Sequence, residues 1–317
     1  GLHFTVAETG WGKASWGKIY GQWLVGSAVM VFDFDNFDSR QLMGVINRYK
    51  VTTFCAPPTI YRYLVKTGLV EMPSLRHVST AGEPLNPEGF SQFLDATGLF
   101  IMEGYGQTET TPLLANLDRM PAKAGSMGKP TPPYRVALQN ADGTSAADGE
   151  PGEIVVLPDE NGNTPPGIFL GYIDNDALYQ YAWRGGVYHT GDTAWRDEDG
   201  YYWFNGRSDD IIKTGGYRVG PFEIESVLTA HPAVLECSVV GIPDSLRGQA
   251  IKAFVVLAPE YKPSKELKKE LKKFCNARIS NYKWIRFIDF VSEMPKTISG
   301  KIKKRDLREW EAINEAE

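Results

Sequence analysis

Residues 39–58 read SRQLMGVINRYKVTTFCAPP. Leu42, Val45, Ile46 and Tyr49 recur at the three- and four-residue spacing that lines one face of a helix, so 39–49 is expected to be helical. The period then changes. Val51 to Ala56 is a short β-rich run, stopped by Pro57 and Pro58, whose nitrogens cannot donate to a ladder. A helix feeding straight into a buried strand is the repeating unit of a layered α/β sheet. The alternation extends on both sides. Residues 29–34 read as a strand, inside an apolar stretch, 23–34, that is expected to be buried. Residues 60–66 resume helix, 77–81 read as strand, 87–97 as helix and 98–103 as strand. Strands separated by helices suggest a parallel sheet, and ligands of such sheets sit in the loops after the strands.

The texture changes twice more. Residues 125–206 are rich in Gly, Pro and Asp, with short strand candidates at 134–139 and 152–157 and turns at Asp142-Gly143 and Asp199-Gly200. That reads as a small β region. After Arg207 come a helix at 221–231 with Pro221 in its first turn, strands at 234–242 and 250–257, a helix at 265–278 and a strand at 285–291. This is a compact α+β unit. The expected division is 1–208 and 209–317.

The chain has 317 residues, 42% hydrophobic and 23% charged, a balance that excludes a disordered polymer. No apolar run approaches the roughly 18 residues of a membrane span. A net charge of −5 leaves no overall footprint for nucleic acid. Charge is uneven, however. From Lys262 onward there are 15 basic and 9 acidic residues, a local excess that could meet a phosphorylated small molecule. Cys55, Cys237 and Cys275 are scattered without CxxC spacing. They argue against a disulfide framework or a zinc site and suit a reducing compartment, here read as the cytoplasm.

Five clusters carry candidate chemistry. Thr80-Ala81-Gly82-Glu83-Pro84 is a strand end running into a Gly turn, where backbone can approach a flat ligand. Tyr105-Gly106-Gln107-Thr108-Glu109-Thr110 offers an aromatic face, hydroxyls and one carboxylate, the kind of single carboxylate Mg²⁺ uses beside substrate phosphates. Tyr188-His189-Thr190-Gly191-Asp192 places a carboxylate on a Gly turn, able to accept two ribose hydroxyls. The last two are 206–218, GRSDDIIKTGGYR, and 295–301, PKTISGK.

In order and spacing these clusters resemble the motif set of the adenylate-forming superfamily: acyl-CoA synthetases, peptide adenylation domains and luciferases. The resemblance covers the whole chain. YGQTET and a PKTISGK ending followed by Ile302-Lys303-Lys304-Arg305 look like an AMP-forming acyl-CoA synthetase, similar to the acetyl- and medium-chain acid–CoA ligases. The implied fold is α/β: part of a layered adenylation domain with a small β-rich subdomain, then a compact α+β C-terminal domain. The implied reaction joins a carboxylic acid to coenzyme A through an acyl-adenylate, using ATP and Mg²⁺ and releasing AMP and pyrophosphate. Gly82, Glu83, Pro84, Glu103, Gly104, Tyr105, Gly106, Gln107, Thr108, Asp192, Arg207 and Arg218 are then expected at the nucleotide. Thr108 would contact the α-phosphate and Glu109 would hold Mg²⁺. Asp192 and Arg207 would reach the ribose. Lys301 would be the mobile lysine of adenylation, Asp209 the hinge, and Gly215 and Gly216 the approach for CoA.

The resemblance has further consequences. Ala81 and Gly106 are expected in the acyl pocket, where acetate-specific relatives carry Val and Trp. Their smallness implies an acid longer than acetate, medium-chain or aromatic, and Gly106→Trp is expected to shift selectivity toward acetate. Acetylation of Lys301 would block adenylation. The family's Ser/Thr/Gly-rich phosphate loop lies upstream of the part matching His3–Trp11. A preceding portion of some 200 residues is therefore expected, on this chain's parent or on an oligomer partner. Two other readings stay open: an adenylation domain loading a carrier protein, and a non-catalytic nucleotide-binding or interaction remnant.

Overall fold

The computed structural model describes every residue except 8, 35, 84–86, 119, 298–301 and 315–317, and the side chains of 87–89 and 311–314 are also outside its description. Two compact units divide the described chain. The first holds Gly1–Thr190 and Ala194–Phe204, the second Gly191–Thr193 and Asn205–Glu317. The division lies a few residues before the expected 208/209 boundary.

The first unit is built on a seven-stranded sheet of order β2-β1-β3-β4-β5-β6-β7. Its strands are β1 (Leu2–Thr5), β2 (Ala28–Met30), β3 (Thr53–Cys55), β4 (His77–Thr80), β5 (Ile101–Tyr105), β6 (Leu114–Ala115) and β7 (Lys129–Pro130). The first five run parallel and the last two antiparallel. Phe4, Phe54, Val78 and Ile101 are direct neighbours across four strands, and all are at most 1% exposed. That row is the spine of the core. After a π-helix (Ala14–Tyr20) and a single turn, α1 (Gly21–Leu24), come α2 (Ser39–Arg48), α3 (Pro58–Thr67) and α4 (Pro87–Thr97). Asp38 caps α2, its carboxylate accepting from the Gln41 N–H at 2.7 Å, and Pro58 opens α3. Leu42 and Ile46 of α2 and Tyr61 and Leu64 of α3 are buried in the same core.

Two expectations need correction. The stretch 23–34 is not a buried strand region. Only Ala28–Met30 pairs, on the sheet's edge, while Trp23, Leu24, Val25 and Val31 are 63–87% exposed. An apolar run alone does not separate a central strand from an edge. The strand expected from Gly98 begins at Ile101, because Gly98, with φ +69°, ends α4 by donating to the Leu94 carbonyl.

A second sheet, of order β11-β10-β9-β8, follows: β8 (Arg135–Gln139), β9 (Gly152–Leu157), β10 (Tyr188–Arg196) and β11 (Tyr202–Arg207). A short helix, α5 (Asp176–Ala182), precedes β10. Leu138, Ile154, Val156, Tyr188 and Tyr202 form its core.

The second unit holds β12 (Ile212–Thr214), β13 (Tyr217–Val219), β14 (Val234–Asp244), β15 (Gly248–Leu257) and β16 (Phe287–Phe290), with α6 (Pro221–Thr229), α7 (Lys265–Asn276) and α8 (Lys304–Asn314). β14 and β15 form a long antiparallel hairpin, and β16 adds parallel to β15. Leu267, Leu271 and Cys275 face the core at helical spacing, and Ser264 caps α7 by accepting from the Leu267 N–H.

Candidate active site

In the first unit the candidate residues gather where parallel strands end. Thr80 and Glu103 are direct neighbours on β4 and β5, so the loops that follow, 81–83 and 106–110, leave adjacent points of one sheet edge. Glu103 is buried, and its carbonyl accepts from the Asn116 N–H at 2.9 Å. Gly104 and Tyr105 complete β5, pairing with Ala115 and Leu114. Gly82 is exposed at φ +100°, a conformation that favours glycine. Glu83 accepts from the Thr59 hydroxyl at 3.2 Å, and Arg62 donates to that same hydroxyl at 2.8 Å. Pro84 lies outside the described residues.

The loop 106–110 is held by its own side chains. The Gln107 amide donates to the Thr190 carbonyl at 2.7 Å, and its oxygen accepts from the Tyr188 hydroxyl at 3.0 Å. Gln107, expected at the nucleotide, therefore has its amide engaged by β10 and acts as a tether. Its backbone N–H donates to the Thr110 hydroxyl at 3.0 Å. Thr108 is exposed. Glu109 accepts from the Tyr172 hydroxyl at 2.8 Å. Burial, then the neighbouring Glu109 carboxylate, push the Tyr172 hydroxyl up to about 12, so it stays a donor.

Gly106 is packed against backbone. A Cβ there would lie 3.0 Å from the Thr111 carbonyl oxygen and 3.1 Å from the Pro112 Cα. Backbone lies close on one side of this exposed position, so a side chain there needs its neighbours to give by a few tenths of an ångström.

In the second unit, Asp192 is buried and Arg207 half-buried. The Arg207 guanidinium donates to Asp192 at 3.4 Å and to Asp209 at 3.3 Å. Gly191 makes this possible: at φ +72°, its would-be Cβ lies 3.1 Å from the guanidinium. Asp210, beside Asp209, accepts from Arg308 of α8 at 2.8 Å. Gly215 and Gly216, both at positive φ, form the two-residue turn between β12 and β13. They and Arg218 are exposed. Lys301 lies outside the described residues.

Sequence reasoning missed Tyr172 and Lys13. Tyr172 sits 63 residues from Glu109 in a stretch without a motif. Lys13 lies outside every motif cluster, yet its ammonium donates to the Ala81 carbonyl at 3.0 Å. Among the described residues no group of three or more His, Cys, Asp or Glu side chains could hold a metal by itself. No helix among them is long and apolar enough to cross a membrane.

Residues 12–172 match the family model of AMP-binding enzymes, and 223–301 match that of the AMP-binding enzyme C-terminal domain. The chain belongs to the AMP-binding enzyme family. Among the relatives of this AMP-binding enzyme, the mitochondrial acyl-coenzyme A synthetase ACSM3 of Rattus norvegicus is 42% identical over 315 residues, 97% of this chain and 54% of that one. The 4-hydroxybutyrate–CoA ligase 1 of Metallosphaera sedula is 44% identical over 313 residues, 98% of this chain and 55% of that one. Of solved structures, the anthranilate CoA ligase AuaEII with anthranoyl-AMP matches at TM-score 0.90 and 33% identity, over 100% of this chain and 60% of that one. The benzoate CoA ligase of Burkholderia xenovorans LB400 matches at TM-score 0.84 and 30% identity, over 97% and 61%. This AMP-binding enzyme chain thus spans about half the length of the curated relatives it matches.

Proposed function

We propose that this chain carries the adenylate- and thioester-forming half of an acid–CoA ligase. A carboxylate oxygen attacks the α-phosphorus of ATP and pyrophosphate leaves. The thiol of CoA then attacks the acyl carbon, and AMP leaves with the bridging oxygen. The observation that carries this reading is the convergence of the 81–83 and 106–110 loops at one edge of the parallel sheet, with Glu109 held by Tyr172.

Roles follow from the chemistry. Attack on the α-phosphorus builds negative charge on its oxygens, and catalysis of this kind is mostly positioning and charge stabilisation. Thr108 is exposed and supplies a hydroxyl to that phosphate. Glu109 is the carboxylate we assign to Mg²⁺. A lone carboxylate fits a cation that completes its shell with substrate phosphates, where it would neutralise charge. Gly82, Glu83 and Tyr105 face the adenine, and Asp192 with Arg207 takes the ribose hydroxyls. Lys301, a compact ammonium on a flexible stem, serves the adenylating step. Gly215, Gly216 and Arg218 serve the CoA step, with Asp209 as the hinge of a C-terminal domain, 209–317, that follows 1–208. The acid is longer than acetate, a reading supported by aromatic and hydroxyacid ligases among the relatives. Three free cysteines support a reducing compartment, and the cytoplasm is our assignment, although ACSM3 relatives are named mitochondrial.

ATP–pyrophosphate exchange with a panel of carboxylic acids tests the first step, and acid-dependent AMP release on adding CoA tests the second. Exchange without any CoA response would favour loading of a carrier protein. Failure to bind ATP, AMP or an acyl-adenylate analogue would overturn the reading.

A further inference from the structure

Lys13 stands between the two loops of the first unit. Trp11, Gly12 and Lys13 form the turn entering the π-helix, and each touches one loop. The Trp11 ring lies 3.8 Å from where a Cβ on Gly82 would be. A Cβ on Gly12 would lie 3.1 Å from the Thr108 Cα. The Lys13 ammonium donates to the Ala81 carbonyl and sits 4.9 Å from the Trp11 ring centroid. Burial lowers its pKa, while the Cys55 thiol and the Glu83 carboxylate act in the opposite sense. Cys55 ends β3, so this ammonium lies at the edge where the parallel strands finish.

An ammonium has three N–H donors. Among the described residues, Ala81 is the one hydrogen-bond acceptor Lys13 has. A half-buried ammonium with donors to spare favours a ligand that brings an acceptor and disfavours one that brings only methylenes.

We propose that Lys13 determines acid specificity, using its spare N–H groups to read a hydroxyl or carbonyl oxygen carried on the acid beyond its carboxylate. The inference rests on the adenylate-forming reading, in which Ala81 lines the acyl pocket. It is a specificity role, separate from charge stabilisation at phosphorus.

Calorimetry on the full chain tests it with sulfamoyl analogues of acyl-adenylates. The pentanoyl analogue is compared with versions carrying a hydroxyl on the third, fourth or fifth carbon. At least one hydroxylated analogue is expected to bind more tightly than pentanoyl by about tenfold, the size of one added hydrogen bond to a charged group. Lys13→Met is expected to abolish that preference, with the circular-dichroism spectrum of wild type reporting an intact fold. Lys13→Gln, which keeps a donor, is expected to retain part of it. Equal binding of all four analogues would overturn the specificity role and leave the adenylate reading standing. A preference that survives in Lys13→Met would overturn it as well. If no analogue binds, the adenylate reading fails, and this inference fails with it.

Discussion

Gly106 in the first unit and Gly216 in the second occupy loops of the same motif set, but the surroundings differ. A Cβ on Gly106 would press on the Thr111 carbonyl and on Pro112. A Cβ on Gly216 would meet nothing within 4 Å. Gly106 is small because backbone passes beside it, whereas Gly216 is glycine because its φ of +83° disfavours a side chain. The lesson extends to their loops. The 106–110 loop is tied by Gln107, Thr110 and Glu109, while the 215–216 turn stands open to whatever approaches it. Preorganisation marks one region and accessibility the other.

The hardest test of that contrast is Lys301→Ala. Adenylate formation is expected to fall by roughly 100-fold or more, the cost of losing one charge-stabilising donor, with no change in melting temperature. A drop in melting temperature that accounts for the activity loss would give Lys301 a structural role instead. Acid comes next. His3 is buried between the hydroxyls of Thr53 and Thr5, and burial lowers its pKa from 6.5 to about 4. The unfolded chain therefore takes up a proton near pH 6.5 that the folded chain refuses until near pH 4. Stability is complete above that window and is lost as pH falls through it, by about 3 kcal/mol at most. Denaturant titrations of wild type and His3→Gln should differ in slope between those two values, and parallel curves would remove His3 from the account.

Gly106→Ala is expected to cost about 1–3 kcal/mol through overpacking, visible as a lowered melting temperature and slower pyrophosphate exchange. Gly216→Ala is expected to cost about 1 kcal/mol through its left-handed backbone, and to slow CoA-dependent AMP release more than exchange. If the two substitutions behave alike, packing does not distinguish the loops. Asp209→Pro is the finest probe, with thioester formation expected to slow more than adenylate formation. Equal slowing of both half-reactions would sink the hinge role.

Periodicity made the helices at Leu42–Ile46 and Leu267–Cys275 legible, because each buries a stripe of side chains at helical spacing. The motif loops were legible too, since glycine and polar residues cluster after short strands. What stayed hidden depended on distant contacts. Lys13 meets Ala81 across 68 positions, and Glu109 meets Tyr172 across 63. No local pattern encodes either. The π-helix at Ala14–Tyr20 went unread, although Trp16, Ile19, Tyr20 and Trp23 follow the same three- and four-residue spacing as Leu42 to Tyr49. The edge position of Ala28–Met30 depends on strand order, which β1 decides by pairing with β2 on one side and β3 on the other.

That strand order also bears on how the chain assembles. In the parallel sheet His3 pairs with Thr53, some 50 residues away, so its central ladder requires large loops to close first. In the second unit, Asp244 pairs with Gly248 across a tight connection, and the ladder can zip outward from there. By contact order, the hairpin of β14 and β15 is the fast-forming element and the central parallel strands the slow one. The stretch most exposed to misassembly is thus the one whose edge later carries the motif loops.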